Sequence, residues 1–255
     1  MWMSDLPPFI PFFIAALLAL VTRGWVRGAV IVVTPILGGL HLWMDVAPGV
    51  VATWQILDYE LTLMRTDRLS LLFGYLFHIA AFLAGVFALH ERDTTQSVTS
   101  LLYAGSALGA VFAGDLITLF IFWELLAITS VFLIWARRTE KAMQAGFRYL
   151  IFQVASGVLL LAGALVQYQH TGSLAFDFIG LDGIGGWLIF LAFGIKCAFP
   201  FLHNWLTDAY PEATPTGTVF LSAFTTKVAV YALARGFPGT DILVYIGAVM
   251  TCFPI

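Results

Sequence analysis

Charge is scarce in this chain. Of its 255 residues only 11% are Asp, Glu, Lys or Arg, whereas 60% are hydrophobic and the mean hydropathy is +0.93. Soluble globular domains carry about 25% charged residues. Too little polar surface is present to hold this chain in water, so lipid is the expected solvent. The net charge of −3 and the lack of any basic tract argue against nucleic acid as a partner. Cysteine is scarcer still: Cys197 and Cys252 both lie in apolar segments, which excludes a disulfide framework or a cysteine metal cluster and leaves two small core residues. Also missing are a phosphate loop, a Gly-rich dinucleotide fingerprint, Cys/His metal spacing and a nucleophile elbow, so no cofactor, no metal site and no catalytic residue is expected. The start, "MWMSDLPPF", has no positive n-region, and the first apolar run reads as a permanent helix, not a signal peptide.

What the sequence has instead is apolar runs approaching the roughly 20 residues that cross a bilayer. They lie near 7–22, 28–44, 69–90, 97–114, 115–136, 144–167, 186–205 and 216–235, with a partial ninth from Asp241 to Ile255, beside Pro254. The expected fold is therefore all-α and polytopic, with about eight full spans. Orientation follows from the basic residues, which favour the cytoplasmic side. Arg23, Arg27, Arg92, Arg137, Arg138, Lys141 and Arg148 fall in loops on one side, and Arg65, Arg68 and Arg235 on the other. That imbalance puts the N-terminus outside, in a bacterial inner membrane. Residues 45–68 form an external loop of alternating apolar character that reads as a short β-hairpin.

Ten of the twelve basic residues are thus accounted for by loops and helix ends. Lys196 and Lys227 remain deep in spans, and Glu124, in "LFIFWELLAITSVF", is the central acid. Asp115 sits at a helix start, where a carboxylate complements the helix dipole. An intramembrane charge costs at least ~2.5–3.5 kcal/mol on insertion scales, so three of them should face one another or a hydrated cavity. One reading is an ion pair that fixes helix packing. The second lysine weighs against it, since one carboxylate cannot compensate two ammoniums. A lysine whose carboxylate partner moves can instead alternate between holding and releasing a proton, as a relay requires.

Pro200, four residues after Lys196, has no N–H, so the Lys196 carbonyl loses its helical partner. Broken membrane helices are frequent at transport sites, although a simple kink is the plainer alternative. His203 comes seven residues after Lys196, and a neutral imidazole there is suited to passing protons or to a simple helix-end hydrogen bond. His78 reads as a packed histidine with one hydrogen bond. Ser222, Thr225, Thr226 and Tyr231 are candidates to solvate Lys227. The run "GSALGAVFAG" has the small-residue spacing that lets helices approach closely.

Three stretches, "FWELLAITS", "GIKCAFPFLHNWLTDAYPEATPTGTVF" and "FTTKVAVYALAR", resemble the antiporter-like subunits of respiratory complex I and of multisubunit Mrp-type cation/proton antiporters, most nearly the D-type component of the Mrp antiporters. The resemblance extends over nearly the whole chain. It implies a first half-channel in which Glu124 on the fifth span tunes Lys196 on a broken seventh span, with Lys227 on the eighth continuing a hydrophilic axis. His203 falls in the segment after the break, and Thr207 replaces the usual proline of "WLPDA". The family has two inverted five-helix units and an external N-terminus. Residues 1–96 are expected to hold three helices and the external loop, 97–235 the first unit, and 236–255 the start of a ninth helix, with the second unit absent. The resemblance thus implies other membrane subunits as partners, among them a separate chain supplying the second half-channel, with protons and a monovalent cation as the transported species. The alternatives are a proton-pumping subunit of a complex I-like quinone oxidoreductase or related complex, and a non-conducting structural subunit.

Overall fold

Polar caps fix where five of the ten described helices begin. A computed structural model describes residues 6–44, 46, 48–56 and 59–252; Pro254 and the other residues after Cys252 lie outside it. Helices α1 (Ile10–Val21) and α2 (Gly24–Met44) precede an antiparallel hairpin, β1 (Gly49–Ile56) and β2 (Tyr59–Thr66). Then come α3 (Arg68–Phe87), α4 (Thr94–Phe112), α5 (Leu116–Trp135), α6 (Glu140–Thr171), α7 (Ile184–Lys196), a short α8 (Asn204–Ala209), α9 (Pro215–Gly236) and α10 (Asp241–Cys252). Asp67 and Ser70 form a reciprocal capping box at α3. Asp93 caps α4, Thr139 caps α6, and Thr214 caps α9 ahead of Pro215. Each satisfies backbone N–H groups that the first turn leaves free.

Five of these helices are long and apolar enough to cross a membrane: α2, α3 with its terminal turn to His90, α5, α6 and α9. That is fewer than the eight full spans expected from hydropathy. The physical reasons differ by element. α1 and α10 are 12 residues each, and α7 stops after 13. α4 has 19 residues but is too polar to qualify, because Gln96, Ser97, Thr99 and Ser100 turn inward and are buried by protein. The expected eighth span corresponds to α9. The hairpin forms within the loop read as one, so the fold is helical with a small two-stranded cap.

α4 lies at the centre, packed on α1, α5 and α9. The close approach that its small residues permit is tightest at Gly109, where an added methyl would sit 2.3 Å from the Phe122 ring of α5. Asp115 locks the hairpin to α5. One carboxylate oxygen accepts from Ile117 N and Thr118 N, and the other accepts from the Thr118 hydroxyl and from Thr62 N of β2.

Ion pairs ring the two ends of the bundle. On the hairpin side Arg235 donates to Asp67 at 2.8 Å, and Arg65 donates to Asp177 at 2.8 Å. Burial pushes the Asp67 carboxyl up, but the Ser70 N–H and the Arg235 and Arg65 guanidiniums outweigh it and hold the group below the usual carboxylate range. On the opposite side Arg148 of α6 grips Asp208 of α8 through two bonds of 2.7 and 2.8 Å, and Arg138 donates to Asp93 at 2.8 Å.

Candidate functional site

Lys196 is the last residue of α7, and the turn beyond it accounts for the helix stopping there. The Phe199 N–H donates to the Gly194 carbonyl and the Ala198 N–H to the Ile195 carbonyl. This is the paired closure of a Schellman turn. Ala198 takes the left-handed position at φ +62°, and Phe201 repeats it at φ +69°. Pro200 sits inside this turn and supplies no N–H to the Lys196 carbonyl. Trp205 Nε1 of α8 donates back to the Ile195 carbonyl at 2.9 Å and so ties the two half-helices together. At 1.5 Å per residue, α7 is about 20 Å long, short of a hydrocarbon core of about 30 Å. Its end, and the lysine on it, therefore stop within the depth of the bundle.

The Lys196 side chain is wholly buried. Its Nζ donates to the Trp123 carbonyl of α5 at 3.0 Å and lies 4.6 Å from the centre of the Trp123 ring. A desolvated cation over an indole gains about 2 kcal/mol or more, which offsets part of the burial cost. Trp123 is itself fixed: its Nε1 donates to the Ser156 hydroxyl of α6 at 2.9 Å, and that hydroxyl donates to the Ala192 carbonyl of α7 at 2.7 Å. One indole thus pins α5, α6 and α7 around the ammonium.

Glu124 is the next residue after the carbonyl that Lys196 binds. It makes no direct ion pair with Lys196, and Glu124 Oε1 is buried without a hydrogen-bond partner in the protein. The carboxylate turns toward α6, where a methyl added at Gly157 would lie 1.6 Å from Oε1. The glycine makes the room that the carboxylate occupies.

The other sequence candidates fall elsewhere. Lys227 lies on the outward side of α9, because Phe224, Thr225, Val228 and Tyr231 take the buried face. Its Nζ donates to the Ser222 carbonyl at 2.7 Å and to the Thr226 hydroxyl at 3.2 Å. Thr225 turns inward and meets the Tyr103 hydroxyl. Tyr231 does not reach Lys227 either: its hydroxyl donates to the Val111 carbonyl and accepts from Arg235. His203 is half-buried at the start of α8, beyond the turn that ends α7, so it does not share a continuous helical face with Lys196. His78 is buried, with Nδ1 2.7 Å from the Gly74 carbonyl. Sequence reasoning passes over Trp123, Ser156 and Gln153. Their one signal is a polar or amphipathic residue inside an apolar run, one beside Glu124 and two spaced three apart on α6.

Fold and site together define a polytopic helical membrane protein with an ammonium held at a helix break inside it. The chain belongs to the NADH:quinone oxidoreductase/Mrp antiporter transmembrane family, whose model matches residues 113–253. It is 31% identical over 157 residues to the D component of the Na(+)/H(+) antiporter of Bacillus subtilis, covering 58% of this chain and 32% of that protein. It is 30% identical over 193 residues to the M component of the NADH-quinone oxidoreductase of Escherichia coli, covering 68% of this chain and 38% of that protein. The matches therefore span well under half the length of these relatives. The solved Mrp complex from Dietzia sp. contains a chain of the same fold, with a TM-score of 0.74, 21% identity, and coverage of 98% of this chain and 52% of that one.

Proposed function

We propose that this protein is a proton-translocating membrane subunit of a multisubunit cation/proton antiporter, with Lys196 as the proton carrier and Glu124 as the group that tunes it. The observation that carries the reading is the placement of Lys196: fully buried, ending an interrupted helix, and bonded to the carbonyl of the residue before Glu124. An ammonium kept for packing alone is expensive in hydrocarbon, whereas a lysine held by one carbonyl and one ring face keeps a lone-pair site available on deprotonation. In this reading residues 97–235 form the conducting five-helix unit. Lys227, on the outward side of α9, passes the proton on to further membrane subunits, one of which supplies the second half-channel. His203, after the break at Pro200, lies on the side of Arg137 and Arg148, which faces the cytoplasm of a bacterial cell with the N-terminus outside. The match to a quinone oxidoreductase component favours one second reading, in which the same unit is the pumping arm of a complex I-like enzyme.

The test is transport by lysine variants in vesicles, normalised to assembled complex. Lys196→Ala abolishes cation-driven proton movement while assembly persists. Lys196→Arg also fails, because a guanidinium does not release its proton at accessible pH. Near-normal transport by the arginine variant sinks the relay and leaves the charge as packing.

A further inference from the structure

α5 and α6 run antiparallel, and two polar ties set their register. Trp123 Nε1 meets the Ser156 hydroxyl, and the Ser130 hydroxyl meets the Tyr149 hydroxyl at 2.7 Å. The ties are seven residues apart on each helix, about 10 Å. Gln153 lies between them on α6, three residues from Ser156 and four from Tyr149, and four from the Gly157 that Glu124 faces. Residues four apart share a helical face. Gln153 is fully buried, and neither its Oε1 nor its Nε2 has a hydrogen-bond partner in the protein. An amide offers two donors and two acceptor positions, and leaving such groups unmet costs about 1–3 kcal/mol each. A leucine fills the same space without that cost. Buried polar atoms of this kind are met by ordered water when several of them converge, and here the orphan Glu124 Oε1 faces the same helix one turn away.

Beyond Tyr149 the polar groups continue. Thr225 Oγ1 lies 2.5 Å from the Tyr103 hydroxyl, and the Tyr103 and Tyr210 hydroxyls both donate to the Leu221 carbonyl of α9. Tyr210 in turn lines an open groove of about 670 Å³ shared with Arg137, Thr214, Thr218 and Ser222. Gln153 itself lies one turn from Gly157, the residue that Glu124 faces.

We infer that Gln153 holds buried water that joins the Ser130–Tyr149 hydroxyl pair to Glu124, which makes Gln153 a positioning residue for proton movement to Lys196. This rests on the reading of Lys196 as a proton relay. The amide is never ionised. Its N–H groups and carbonyl orient the water, each water or hydroxyl oxygen that passes a proton on accepts another behind it, and the net change is one proton removed from the supplying water and one added at Glu124 or Lys196. No oxidant, reductant or metal is involved.

Two measurements on the assembled complex test it. The first is radiolytic labelling in ¹⁸O-water, which marks side chains touching bound water. Native protein takes up label at Trp123 or Tyr149 despite their burial, and Gln153→Leu loses most of it; an unlabelled native site overturns the inference whatever the variants do. The second is cation-driven proton transport. Gln153→Leu and Gln153→Met lower it at least about tenfold, equivalent to about 1.4 kcal/mol in the barrier, without loss of thermal stability, and Gln153→Asn restores part of it. A purely structural glutamine predicts transport within twofold of native, and that result in either apolar variant overturns the inference. Lys196→Ala run alongside separates the two ideas: transport surviving there removes the relay, while label surviving in Gln153→Leu removes the water site.

Discussion

Two glycines show how differently one added methyl acts. At Gly109 the methyl would meet the Phe122 ring, itself packed at a tilt 4.7 Å from the Phe9 ring, so the α4–α5 contact has to open. Overpacking of that kind costs about 1–3 kcal/mol. At Gly157 the nearest atom is the tip of Glu124, a flexible side chain that swings aside, and alanine also favours the helix by about 1 kcal/mol. Gly157→Ala should therefore leave thermal stability nearly unchanged, whereas Gly109→Ala should lower it. Transport should fall in Gly157→Ala all the same, because the carboxylate is re-aimed away from its place against α6. Unfolding midpoints and transport on the same preparations check both halves; native-level transport in Gly157→Ala would show that the aim of Glu124 is immaterial. Glu124 and Lys196 are legible in the sequence because a charge in an apolar run is conspicuous. Their companions are not. Which residues of α6 face Trp123 depends on how two helices are rotated against each other, and a single run of letters does not encode that rotation visibly. The outward setting of Lys227 escapes for the same reason.

At the scale of elements, the end of α7 is a backbone device and not merely a proline effect. The closing bonds use the N–H groups of Ala198 and Phe199, both ahead of Pro200, and they demand a left-handed residue where the sequence supplies alanine. An L-residue held there costs about 1–2 kcal/mol, and glycine removes that strain at the expense of some unfolded-chain freedom. Ala198→Gly should raise stability by up to about 1 kcal/mol, read as a higher thermal midpoint of the assembled protein. A lower midpoint would mean that the alanine methyl contributes more through packing than its backbone loses. The sequence points to an interruption here through Pro200 but not to its form. It indicates helix starts better, since Asp67, Asp93, Asp115, Thr139 and Thr214 precede their helices in a pattern readable from local chemistry. Hydropathy carries the seventh span on to residue 205 because it does not register the turn that ends α7 at Lys196, whereas α4 starts and stops within three residues of its expected run.

Across the whole molecule, the buried interior is built around α4, α5 and α9, while α10 has no buried residue and presents Val244, Tyr245 and Val249 outward. With Lys227 exposed on α9, these surfaces are where the proposed partner subunits would seat. The two cysteines give a direct measure. Cys252 on α10 is exposed and Cys197 is buried. In membranes holding this chain alone, a maleimide should modify Cys252 quickly and Cys197 hardly at all. Co-expression of the proposed partner subunits should slow labelling of Cys252; unchanged labelling would remove α10 from the assembly surface. At the opposite end of the bundle, the Asp115 carboxylate binds β2 through Thr62 and starts α5 through Ile117 and Thr118. Glu124 lies nine residues down that same rod, about 14 Å away. A force applied to the hairpin from outside therefore cannot slide past α5 without first breaking these bonds. The position of the hairpin is thereby coupled to the start of the helix that carries Glu124.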